Sequence, residues 1–274
     1  METHAPPELD YYAALAALEW QLEMGVDTAI GDDPVDCYAL PEKRVEAKPD
    51  APEPALAGAN LPPVAEMAQA VGPDPLAHAR DLAGKAESIE ALRAAIDAYD
   101  LCDLKKGARN TVFADGMPAA RVMVIGEAPG REEDQKGRPF VGQAGHLLDQ
   151  MFGAIGLSRD APDALAGLYI TNVLPWRPPG NRDPEPDEIA QMLPFLTRHV
   201  DLADPDLVVL MGNVACAAGL GKRGVTRLRG TWTEAFGRPA LPMFHPAYLL
   251  RNPAAKREAW ADLLSIRARL DQQG

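Results

Sequence analysis

From Arg121 onward, short apolar runs alternate with stretches in which apolar residues recur every three or four positions. The runs Arg121–Ile125, Leu168–Leu174, Leu207–Met211 and Ala240–Phe244 are rich in Val, Ile and Leu and are closed by turn residues, so they read as buried strands. The intervening segments Ala144–Ile155, Pro184–Leu202, Val214–Leu220 and Pro253–Leu270 carry helical spacing. Strands that alternate with helices require right-handed crossovers. The expected fold is therefore α/β: a three-layer α/β/α sandwich around a mostly parallel, four-stranded central sheet.

The pattern upstream is different. Tyr11, Leu15, Leu18 and Leu22 lie on one face of a helix that Gly25 would stop. Glu42 to Pro63 is rich in Pro, Ala, Glu and Lys and cannot bury enough apolar surface to offset ordering, so it reads as a linker. Residues 64–80 read as a weak helix interrupted by Gly72-Pro73 and Pro75. Ser88 and Glu90 then cap a helix bearing Ile89, Leu92, Ile96 and Tyr99, and Cys102 to Gly116 reads as an irregular connection. Three regions follow: an extension over 1–41, a linker with a weak helix over 42–80, and an α/β domain over 81–274.

Composition narrows the class. The chain has 274 residues, 47% of them hydrophobic, enough for a substantial core. No window approaches a membrane span and METHAPPELD lacks a basic signal start, so a cytoplasmic, monomeric protein with no membrane contact is expected. Cys37, Cys102 and Cys216 are widely spaced and odd in number, which gives neither a disulfide framework nor a metal site. A net charge of −13 argues against a nucleic-acid partner until its distribution is considered. Residues 1–80 hold 15 acids and 4 bases; the remainder is nearly balanced and can present a basic face.

Ligands of open α/β sheets gather outside the carboxyl ends of parallel strands. Three polar residues stand at such ends. Glu127 follows the first strand in the turn Gly126-Glu127-Ala128-Pro129-Gly130; Asn172 closes YITN; His245 precedes Pro246. Asn172 has the donors and acceptor to read the edge of a base, although strand-end asparagines also bind backbone. Phe140, set between Pro139 and Gly142 after the charged excursion Arg131–Arg138, offers a ring for stacking.

The blocks GEAPG (126–130), GRPFVG (137–142), YITNV (169–173), RPPGNR (177–182) and HPAYLL (245–250), in this order, resemble the uracil-DNA glycosylase superfamily, and family 4 most closely. The resemblance covers roughly residues 88–274. It implies an enzyme that flips uracil, or another deaminated base, out of DNA and hydrolyses the N-glycosidic bond, initiating base excision repair. It also implies roles: Phe140 stacking on the base, Gly126, Ala128 and Asn172 around it, and His245 facing its O2 oxygen as either neutral donor or imidazolium. Tyr248, Leu249, Leu250 and Arg251 would enter the helix, with the leucines as a wedge, and Arg177, Asn181 and Arg182 would hold phosphates. Arg227 and Arg229 are weaker candidates of that kind.

Two departures from the family stand out. Family 4 carries a four-cysteine iron-sulfur cluster, and its cysteine positions match Tyr99, Cys102, Trp176 and Met192 here. With one thiol of four, no cluster, metal or other cofactor is expected. The position of the family 1 catalytic aspartate is Ala128, so Glu127 is the expected group that activates water, with Glu132, Glu133 and Asp134 as alternatives. No lysine is placed for a Schiff base, so lyase activity is not expected. The competing reading is a non-catalytic or product-retaining binder of uracil-containing or abasic DNA. Superfamily members that stay attached to their product carry a basic loop ending in His between the second and third blocks, and this chain has no such insertion.

Overall fold

Six strands form one sheet in the order β1-β3-β2-β4-β6-β5. They are β1 (Ala114–Gly116), β2 (Val122–Gly126), β3 (Tyr169–Asn172), β4 (Leu207–Met211), β5 (Thr233–Ala235) and β6 (Arg238–Met243). The computed structural model describes residues 74–272, which belong to a compact unit spanning Val64–Gly274. The expected helix over Tyr11–Leu22 and the linker Glu42–Pro63 lie outside the described residues.

β3, β2, β4 and β6 are mutually parallel, the four-stranded centre expected from the alternation. Every residue of β2 and β4 is buried, because helices cover both faces of the sheet. The expectation of four strands is corrected at the edges. β1 pairs antiparallel with β3, inside the segment read as an irregular connection, and β5 pairs antiparallel with β6. Each edge strand has three residues, too few for alternation to register.

The helices are α1 (Pro75–Lys85), α2 (Ile89–Ala98), α3 (Leu104–Gly107), α4 (Arg131–Lys136), α5 (Gln143–Gly153), α6 (Pro186–Ala203), α7 (Gly212–Leu220), α8 (Val225–Leu228), α9 (Pro246–Arg251) and α10 (Lys256–Gln272). α1 runs across the boundary expected at residue 80. Pro75 starts the helix at a position where a missing N–H costs nothing, and the Asp74 side chain caps it by accepting from Leu76 N at 3.1 Å. The helix then runs through residue 80 and buries Ala79 and Ala83. α1 and α2 both pack on α6, and Tyr99 Oη donates to the Pro75 carbonyl at 3.0 Å, so α1 is integral to this layer. Arg131–Lys136, read as a charged excursion, is the short helix α4.

The core runs through the sheet and its helices as one cluster, from Ala79 to Leu270. No helix among the described residues is long and apolar enough to cross a membrane.

Candidate active site

The parallel strands deliver three segments to one edge of the sheet. Gly126 of β2 is the register partner of Asn172 of β3, and the backbone pairing continues beyond the strands, Val173 N donating to the Gly126 carbonyl at 3.0 Å and Leu174 N to that of Glu127 at 3.1 Å. His245 follows β6 and caps α9. Phe140 arrives from the loop between α4 and α5. Its ring stacks on that of His245, with centroids 5.3 Å apart and planes inclined at 28°.

Gly126 is the hub of this convergence. A Cβ placed there would overlap Asn172 Oδ1 and lie 2.6 Å from Phe140 Cε2 and Cζ, so only a bare Cα lets the amide and the ring meet across the strand end. Gly212, with φ of +89°, lies close to His245: a Cβ there would come within 3.3 Å of His245 Cβ. Ala128 is partly buried beside these groups and packs against the core.

Phe140 is held in a costly conformation. Its φ is +52°, in the left-handed region that a bulky side chain rarely adopts. Two residues account for it: Arg159, which the sequence reading missed, and Glu133, which it named only as an alternative carboxylate for activating water. Arg159, 6% exposed at its side chain, donates to the carbonyls of Pro139 at 2.9 Å and Phe140 at 3.0 Å, and is itself held by Asp115 at 2.9 Å and Asp149 at 2.8 Å. From the other side, Glu133 Oε1 accepts from Val141 N and Gly142 N, each at 3.0 Å, and its Oε2 accepts from Gly130 N at 3.1 Å. Spacing gave no sign of either, since the partners of Arg159 are up to 44 residues away. Phe140 itself is only 6% exposed.

The hydrogen bonding of His245 fixes its tautomer. Nδ1 accepts from Ala247 N at 3.2 Å, so the neutral ring carries its proton on Nε2. Burial, and secondarily the positive charge of Arg251, bring the imidazole down to about 4, with Glu133 acting weakly in the opposite sense. At neutral pH the group is an uncharged N–H donor.

Glu127 is partly buried, and desolvation raises its carboxyl above the usual range; Asp183 adds to this and Arg223 opposes it. The carboxylates named as alternatives are otherwise engaged. Glu133 is committed to three backbone amides, Asp134 accepts from Arg109 N at 2.8 Å and Asn110 N at 3.3 Å, and Glu132 lies on the exposed side of α4 beside Lys136.

The residues expected on DNA are placed unequally. Tyr248 and Leu250 are exposed at 37% and 41%, and Arg251 is exposed as well. Leu249 is fully buried in the core, and the expectation of a leucine pair is corrected to Leu250 alone, because α9 turns Leu249 inward toward α5. Arg177 Nε donates to Asn181 Oδ1 at 2.7 Å, and Arg182 pairs with Glu188 and Glu185 at the start of α6, which fixes the loop instead of leaving that guanidinium free. Arg229 is paired with the buried Asp262 and covers the Phe244 ring, so it braces the strand before His245. A polar groove of about 450 Å³ gathers Arg109, Arg131 and Arg177 with Asp134 and Gln135.

Residues 113–264 match the family model for the uracil DNA glycosylase superfamily. The chain belongs to this superfamily. It is 37% identical over 191 residues to the type-4 uracil-DNA glycosylase of Sulfurisphaera tokodaii, covering 66% of this chain and 84% of that one. The type-4 uracil-DNA glycosylases of Archaeoglobus fulgidus and Thermotoga maritima are 36% and 37% identical, with 66% and 61% of this chain matched to 92% and 85% of theirs.

Among uracil-DNA glycosylases of family 4 the resemblance implied an iron-sulfur cluster, and the donor set here does not fit one. Tyr99, Cys102, Trp176 and Met192 are all buried in the core, and two of them spend their polar atoms on protein. Tyr99 Oη donates to Pro75 O or Gln191 Oε1, each at 3.0 Å, and Trp176 Nε1 donates to Thr111 Oγ1 at 3.2 Å. Burial raises the Cys102 thiol, the opposite of what a ligating thiolate needs. Among the described residues no group of three or more His, Cys, Asp or Glu is arranged to hold a metal ion.

Proposed function

We infer that this chain is a monofunctional uracil-DNA glycosylase that acts in DNA repair by hydrolysing the bond between uracil and deoxyribose. The observation that carries the reading is the convergence of Asn172, Phe140 and His245 around Gly126, one residue from Glu127, in a member of this superfamily.

The residues divide the chemistry. The target nucleotide leaves the stack, and Leu250 with Tyr248 takes the space it vacates. Arg109, Arg131 and Arg177 hold phosphates of the flanking strand. The base stacks on Phe140, and the Asn172 amide reads its polar edge. As the N-glycosidic bond breaks, the base takes the electron pair and the sugar gains oxocarbenium character. The neutral His245 Nε2–H donates to the O2 oxygen as charge accumulates there, a contribution of about 3 kcal/mol for one well-placed donor. Glu127, as carboxylate, steadies the cationic sugar and takes a proton from the water that adds to C1′. The products are free uracil and an abasic site. No step needs a metal or a second cofactor.

The test is to incubate the full chain with single- and double-stranded oligonucleotides bearing one uracil, hypoxanthine or xanthine, and to cleave abasic sites with alkali. Uracil release with multiple turnovers supports the reading. Binding without strand scission, or a single turnover that leaves protein on the DNA, overturns it in favour of a product-retaining binder.

A further inference from the structure

Five large hydrophobic side chains are exposed among the described residues, and four of them, Tyr248, Leu250, Trp260 and Leu264, come from α9 and α10. Trp260 is 44% exposed and Leu264 47%. On α10, Arg257, Trp260, Ala261 and Leu264 follow the spacing of one helix face, and all four are exposed. Beside the indole lies a groove of about 180 Å³ formed by Leu147, Met151, Leu249 and Leu263, with Lys256 at its rim. Leu249 thus has a use that differs from its expected one: its buried side chain is the wall that joins the exposed Leu250 to Trp260. Arg251 at the end of α9 and Lys256 and Arg257 at the start of α10 are exposed, against the single exposed acid Glu258 on that first turn.

The uracil site does not use this face, and its chemistry is particular. A groove of that size takes one flat ring and is too small for a helix, the indole offers a stacking surface, and the neighbouring cations match a chain of phosphates. We propose that α10 forms a second contact with DNA, in which an unpaired base of the strand flanking the target stacks on Trp260 while Arg251, Lys256 and Arg257 hold the adjoining phosphates. Leu249, the neighbour of Leu250 in α9, lines the same groove as Trp260, which sets this face beside the residues proposed to fill the vacated stack. This inference rests on the glycosylase reading above. Stacking of this kind tolerates any base, so it adds affinity and leaves base selection to Asn172.

The test compares the full-length wild type with Trp260→Ala and Trp260→Phe. Binding is followed by anisotropy on a long, uracil-free single strand, and excision is measured on that strand carrying a uracil and on a fragment ending one nucleotide either side of it. Trp260→Ala is expected to weaken binding to the long strand by about fivefold or more and to raise its KM, with kcat and the short-fragment rate unchanged. Trp260→Phe keeps most of the binding. Equal behaviour of Trp260→Ala and wild type on the long strand overturns the proposal, as does an equal loss on both lengths, or sedimentation showing that the substitution dissolves a dimer seated on this face. A wild type that releases no uracil sinks the glycosylase reading whatever Trp260 does. An active wild type matched in every assay by Trp260→Ala sinks this inference alone.

Discussion

The Phe140 ring lies against the imidazole of His245, so the aromatic wall and the hydrogen-bond donor of the site form one packed unit. Removing the ring therefore disturbs two functions. Phe140→Ala is expected to lower single-turnover excision by at least about tenfold, since base stacking alone contributes about 1–3 kcal/mol. Wild-type rates in that variant would show that the base never meets the ring.

Gly126→Ala tests the geometry behind that unit. The added methyl overlaps Asn172 Oδ1 and crowds the Phe140 ring, while β2 keeps its backbone. Excision should fall by about a hundredfold, the scale of a small misplacement of groups at a reacting centre. The circular dichroism spectrum should be unchanged. An active Gly126→Ala enzyme would mean that the amide and ring do not need their present separation.

Acid should act on this protein through its histidines. His245 is held near 4 and His199, buried beside Tyr169 and Phe113, near 3, both below the ordinary histidine value. Between that value and about 4 the unfolded chain binds protons that the native state refuses, so stability decreases as pH falls through the window. Denaturant midpoints measured across it should decline, and His199→Gln should flatten the slope. A midpoint indifferent to pH there would contradict the neutral state of both rings.

On the proposed mechanism the Glu127 carboxylate is the active form, and burial raises its pKa, so the excision rate should begin to fall, on its acid limb, at a pH above the ordinary carboxylate range. Glu127→Gln should remove that limb and lower the plateau by about a hundredfold. A Gln variant that kept both the limb and the rate would assign the base to another group.

The bracket around Phe140 should appear as stability. Glu133→Ala strips three backbone amides of their acceptor, and leaving even one such group unsatisfied costs about 1–3 kcal/mol. A lower thermal midpoint and slower excision are expected together. Unchanged values in both would mean that the left-handed turn at Phe140 sustains itself.

The parallel core and the three strand-end residues were legible in the sequence because each central strand is a compact apolar run with a polar residue placed just after it. The supporting structure was not. Arg159 and Glu133 act through backbone carbonyls and amides distant in sequence, and no periodicity encodes such pairs. Leu249 and Leu250 are adjacent and chemically alike, yet one is sealed and the other open; only the rotation of a six-residue helix decides which. The edge strands and the start of α1 are hidden for a related reason: three-residue strands carry no pattern, and Pro75 reads in sequence as an interruption although it initiates a helix.

Helix α1 has a practical bearing on how this chain can be shortened. A variant trimmed to begin at residue 81 would sever the helix midway, remove Ala79 from its seat on α6, and leave the hydroxyl of Tyr99 without the Pro75 carbonyl. Tyr99 occupies one of the four places where the resemblance to family 4 implies cysteine, so the damage would fall on that buried patch. Anyone dispensing with the acidic leader should cut ahead of Asp74.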